Sequence, residues 1–172
     1  MKFLSHLATD SRAWFLLTMS ALGLEITALY FQYVLGLAPC IMCIYQRTAI
    51  WGIFAAGILG SLGNKLIITR LLAYILWGTS AVWGFNLAVE HVDMQTSEFS
   101  FMYTCEIVPN FPQWAPLHEW LPLLFEANGD CGDINWQFLN FSMPQVMIVT
   151  FGVYGVILAI ILTTRVIKKK TI

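Results

Sequence analysis

Charge is what this chain has least of. Only 11% of its 172 residues are charged while 58% are hydrophobic, and the mean hydropathy is +0.70. A soluble domain normally carries about 25% charged residues, so this balance excludes one, and the length excludes a large transporter. No nucleotide, phosphate or metal motif is present, nor any internal repeat, low-complexity tract or basic cluster suited to nucleic acid. Neither a metal nor a nucleic-acid partner is expected. Between residues 90 and 143 there is no lysine or arginine at all, although that stretch holds eight carboxylates and four prolines. The net charge of −1 therefore hides strong segregation. What remains is an integral membrane protein.

Four apolar runs are long enough to cross a bilayer, at about 13–37, 43–62, 66–89 and 144–167. The first is too long for the h-region of a signal peptide, and no small-x-small site is followed by a polar segment, so it reads as a retained helix. Within it Thr18, Glu25 and Gln32 recur every seven residues, placing a membrane-depth carboxyl on a stripe that should face other helices. Glycines 52, 57 and 60 in the second run suit close helix packing. The third ends at Glu90-His91. Pro144 opens the fourth. The fold class is an all-α four-transmembrane-helix bundle, one membrane domain over residues 1–172. Its long loop, 90–143, carries a short interfacial helix around Trp114 to Phe125 that Pro122 breaks early. Eight of the nine basic residues fall on one side, which the positive-inside rule makes cytoplasmic. Both termini share that side, and all four cysteines face the other. A monomer is expected.

The exception among the cations is Arg47, and it follows Pro39-Cys40-Ile41-Met42-Cys43. Pro39 keeps the preceding residue extended, so Cys40 should lie just outside a helix and Cys43 in its first turn. A helix start and a nearby cation both stabilise a thiolate, and Arg47 lies one turn beyond Cys43. A positive charge there opposes the helix dipole and the topology rule together, which points to a functional role over mere snorkelling.

Four cysteines outside the cytosol should be oxidised. Three connectivities are possible, with Cys40–Cys43 the default because the two are so close. A bridge between Cys105 and Cys131 would restrict the unfolded chain by roughly 3–4 kcal/mol, enough to act as a staple, whereas the short Cys40–Cys43 loop tethers nothing distant. A four-thiolate zinc site is disfavoured because the second pair is 26 positions apart. Copper binding through these cysteines and Met42 or Met102 lacks a methionine cluster. The remaining reading is a relay, from a disulfide in an exposed loop to one at the bilayer edge.

In this ordered set of motifs the chain resembles the DsbB family, four-helix quinone reductases of the bacterial inner membrane. The resemblance rests on Pro39-Cys40-x-x-Cys43 with Arg47, Cys105 and Cys131 in the long loop, Phe111-Pro112-x-Trp114, Gly129-Asp130-Cys131 and Met143-Pro144-Gln145. It implies that a periplasmic DsbA-like thioredoxin-fold dithiol attacks Cys105 of a Cys105–Cys131 disulfide. Cys131 then reduces the helix pair through Cys40, and Cys43 faces ubiquinone or menaquinone. Arg47 would hold a quinone carbonyl, and His91 would correspond to a family histidine at the quinone level. The alternatives are a DsbI-type paralogue with its own partner, a reductase of the vitamin K epoxide reductase type, whose active pair usually lies in the last helices, and a structural protein with stapled loops.

Overall fold

The computed structural model describes residues 11–63, 65–96 and 109–167, without the side chains of 165 and 166. Among these residues, four helices are long and apolar enough to span a membrane. They are α1 (Ser11–Tyr33), α2 (Ile41–Gly63), α3 (Ile67–Thr96) and α6 (Met143–Ile167). Two single-turn helices, α4 (Leu117–Trp120) and α5 (Pro122–Phe125), and a two-stranded hairpin, β1 (Gln137–Phe138) with β2 (Phe141–Ser142), lie between α3 and α6. The expected all-α bundle is present.

Helix α2 packs against α1 and α3, and α3 packs against α6. A hydrogen bond between the Ser20 and Tyr154 hydroxyls, 3.0 Å long, joins α1 to α6. Small residues set the helix spacing, because lipid tails offer no hydrophobic drive between helices and close packing must supply the attraction. A side chain at Gly57 would collide with Thr18, one at Gly60 with Trp14, and one at Gly84 with Phe151. Trp14 stacks at a tilt on Tyr74, with ring centroids 5.0 Å apart, and fills the lower core. Leu16, Leu62, Ile68 and Val149 point outward and are largely exposed, as lipid-facing residues should be.

Two boundaries differ from the sequence expectation. Helix α1 ends at Tyr33 instead of Leu37, because Gly36 adopts φ +68° and the Leu37 N–H turns back to the Phe31 carbonyl. Helix α3 runs past Glu90-His91 to Thr96. Hydropathy falls after Val89, but Glu90, Met94 and Gln95 are good helix formers, so the helix continues where the apolar signal stops.

At the other end of the long connection, the Ser142 N–H donates to Gln145 Oε1 at 2.8 Å, half of a capping box at the start of α6. The hairpin before it turns through Leu139 and Asn140, both at positive φ. The amphipathic turn is present as α4 and α5, split at Leu121-Pro122. Trp114, Trp120 and Leu123 are exposed while Phe125 is buried.

Candidate functional site

The site is built at the start of α2. The Cys40 carbonyl accepts the first helical hydrogen bond, from the Ile44 N–H at 3.1 Å, which makes Cys40 the residue that caps the helix. Its sulfur takes the part usually played by a serine oxygen: the Cys43 N–H donates to it at 3.4 Å. The two sulfurs lie 3.1 Å apart, with the Cys40 thiol donating to Cys43. Cys40 is buried and Cys43 partly exposed.

The loop is fixed against this helix start by backbone contacts. The N–H groups of Asn128 and Gly129 both donate to the Pro39 carbonyl, at 2.9 and 3.0 Å. Only a glycine fits at 129, since a Cβ there would strike the Ala38 carbonyl. Two residues on, Cys131 is fully buried and packs in one cluster with Cys40, Ile44 and Phe125. Sequence separation is thereby cancelled: Cys40, Cys131 and His91 bring their ligand atoms within 4.8 Å of one another. Hydrogen bonding of the Cys40 thiol to Cys131, then to Cys43, with burial added, pushes its titration far above the ordinary thiol range. Cys105 lies outside the described residues.

Arg47 is buried, so it does not snorkel. Its Nη1 donates to Gln32 Oε1 at 2.9 Å and to the Leu124 carbonyl at 2.6 Å, and its Nε stands 3.6 Å from Glu25 Oε2. The Thr18, Glu25, Gln32 stripe therefore faces inward as expected, and two of its members hold Arg47. The pairing of Glu25 with Arg47 was the part sequence reasoning missed. The heptad stripe was its one available signal.

His91 does not cap a helix end, because α3 continues for another turn beyond it. It is buried, with Nε2 3.6 Å from the Cys40 sulfur and Nδ1 3.2 Å from Gln46 Nε2. The Cys131 backbone also hydrogen-bonds to the ring. Glu90, its neighbour in sequence, is exposed.

A cavity of about 290 Å³ opens beside these groups. Leu24, Ala28, Phe31, Ile50 and Met147 give it apolar walls, and Cys43, Arg47, Glu25 and His91 bring polar atoms to its lining. Glu25 Oε2 is buried there with no hydrogen-bond partner among the described residues. An apolar pocket with a few convergent polar groups is the usual form of a small-molecule site.

Fold and site together define a multi-pass membrane protein with a dithiol at a helix start and a third cysteine delivered to it by a loop. The family model for "Disulfide bond formation protein DsbB" matches residues 10–161. The chain is 52% identical to the disulfide bond formation protein B of Pseudoalteromonas atlantica over 172 residues, all of both chains. It is 49% identical to that of Pseudoalteromonas translucida, again over both full lengths, and 45% identical to that of Aeromonas hydrophila over 168 residues, 98% of this chain and 96% of the relative. The chain belongs to the DsbB family of disulfide bond formation proteins.

Proposed function

We propose that the protein is a dithiol:quinone oxidoreductase that reoxidises a periplasmic DsbA-like thioredoxin-fold protein and passes the electrons to ubiquinone or menaquinone. The observation that carries this reading is the convergence of Cys40, Cys43 and Cys131 beside a cavity that Cys40, Cys43 and Arg47 line.

The partner's thiolate attacks Cys105 of the Cys105–Cys131 disulfide, forming a mixed disulfide and releasing Cys131 as a thiolate. The partner's second thiol resolves the bond and leaves oxidised. Cys131 then attacks Cys40 of the Cys40–Cys43 disulfide, and Cys43 departs with the electron pair. The leaving sulfur determines which way this exchange runs, because a thiol whose negative charge is stabilised leaves faster. Cys43 sits in the first turn of α2 and shares the cavity with the Arg47 guanidinium, whereas Cys40 holds its proton. Attack on Cys40 with departure of Cys43 is thus the favoured direction. Attack of Cys105 on Cys131 restores the loop disulfide with Cys40 as the leaving group.

The cavity suits a quinone ring: its walls are apolar and its polar end carries Arg47 beside Glu25. When bound, a quinone accepts the two electrons and, with two protons, becomes the quinol. Arg47 uses Nη1 for Gln32 and Leu124 and turns Nε to Glu25, so Nη2 is left for a carbonyl oxygen, a fixed donor in a dry site. Glu25 holds that guanidinium in place. His91 lines the same cavity from the Cys40 side. The chain acts as a single domain in the bacterial inner membrane, with both termini cytoplasmic and the cysteines periplasmic. The exposed aromatic turn of α4 and α5 rests in the outer interface.

The test is to mix purified protein, reduced thioredoxin-fold partner and a quinone, and to follow quinone absorbance. Wild type should consume quinone in step with partner oxidation. Absence of quinone loss would sink the proposal.

A further inference from the structure

The gap of 26 residues between Cys105 and Cys131 makes a zinc site look improbable along the sequence, but the fold builds a different set of ligands from Cys40, Cys131 and His91. The Cys40 sulfur lies 3.6 Å from His91 Nε2. A tetrahedral zinc ion, with bonds of about 2.3 Å to sulfur and about 2.0–2.1 Å to nitrogen, needs a sulfur–nitrogen edge of about 3.6 Å and a sulfur–sulfur edge of about 3.8 Å. The ligand atoms of Cys40, His91 and Cys131 all fall within 4.8 Å of one another, so small side-chain rotations close the remaining edges. Cys43 is 3.1 Å from the Cys40 sulfur but does not belong to that trio, so three protein ligands define the site and the fourth corner is open to water.

His91 is also held as metal-binding histidines are. Gln46 is 4% exposed and His91 3%, and the amide meets Nδ1 at 3.2 Å on the side of the ring away from Cys40. With its NH2 toward the ring, Gln46 donates to Nδ1 and leaves the proton on Nε2. With its oxygen there, it accepts from Nδ1–H and leaves Nε2 bare beside the sulfur. An amide serves both tautomers, which is the support a ligating imidazole requires.

We propose that the reduced chain binds one thiophilic divalent cation of the zinc class between Cys40, Cys131 and His91. The thiol protons leave as metal–sulfur bonds form, and no electron moves. The site exists only when both cysteine pairs are reduced, since a sulfur in a disulfide is no longer a thiolate. A bound ion occupies the sulfurs between which electrons would pass, so it holds the protein in its reduced form. The inference does not depend on the quinone reading, and its test contains no quinone.

Full-length protein in detergent micelles is reduced with a phosphine, freed of reductant and titrated with Co²⁺, then Zn²⁺. Reduced wild type should give the intense visible spectrum of tetrahedral thiolate-bound cobalt at one equivalent, bleached by one equivalent of Zn²⁺, while disulfide-intact protein gives none. His91→Ala and Cys131→Ser should each weaken binding at least about tenfold, with helical circular dichroism confirming the fold. If His91→Ala fails to fold, the loop variant Cys131→Ser decides. No tetrahedral spectrum from reduced wild type, or an affinity that neither substitution changes, overturns the site.

Discussion

The two ends of the bundle are packed on different principles. Around Trp14, Tyr74, Trp77 and Phe151 the core is large aromatic rings set against glycine and alanine, and its described members all come from spanning helices. Around Cys40 and Cys131 the core is assembled from the start of one helix, the extension of another and a docked loop, and it contains or adjoins Gln46, Arg47 and His91. The first end is held by shape. The second is held by hydrogen bonds whose partners come from residues far apart in sequence, such as the Leu124 carbonyl on Arg47 and the Pro39 carbonyl under Asn128 and Gly129. Residues so distant in sequence need the second design, because only a docked loop brings Cys131 to the start of a helix.

That contrast can be broken by substitutions at each end. The largest effect is expected from Cys43→Ser, which should abolish quinone reduction while leaving the thermal melt in micelles unchanged. A staple would instead lose stability and keep no activity to lose. Glu25→Ala should be next, since it strips a buried guanidinium of its countercharge and should destabilise the chain by about 3–5 kcal/mol in a denaturation series. A loss below about 1 kcal/mol would mean that Gln32 and Leu124 suffice to hold Arg47.

Phe151→Ala empties the space over Gly84 and should cost about 3 kcal/mol, yet the protein that remains folded should exchange disulfides at the wild-type rate. If exchange slows as much as stability falls, the two ends are not independent. Gly129→Val addresses the docked loop. It should lower the rate of transfer from Cys131 to Cys40 about tenfold, roughly 1.4 kcal/mol, with the melt of the helices unaltered.

The smallest effect concerns pH. In the reduced chain, alkylation near neutral pH should label Cys43 before the buried, hydrogen-bonded Cys40, and Cys40 should react only well above the ordinary thiol range. Because its titration is raised on folding, Cys40 contributes stability that is complete below the ordinary thiol pKa and lost as pH climbs through the raised one. Equal labelling of the two sulfurs at neutral pH would remove the distinction between them.

Much of this was visible in the residues themselves. A bilayer demands long apolar helices, so four spans could be read from hydropathy, and Pro39 ahead of Cys40 set where α2 begins to within two residues. The inward stripe of Thr18, Glu25 and Gln32 followed from helical periodicity. The hairpin was not legible, since Leu139-Asn140 lacks the glycine that usually marks such a turn. The extension of α3 escaped for the opposite reason: helix formers continued after the apolar pattern had ended.

Local chemistry, then, was determined by sequence: which segments cross the bilayer, where a helix starts, and which two thiols share its first turn. Neighbours across the fold were decided only by tertiary structure. Glu25 meets Arg47 across two helices, and His91 reaches Cys40 from a third. Cys131 arrives by way of a glycine that lets one loop lie flat on a carbonyl. Periodicity fixes the direction a side chain faces, but what it faces depends on how the helices pack and where the loop comes down, and both are properties of the whole chain.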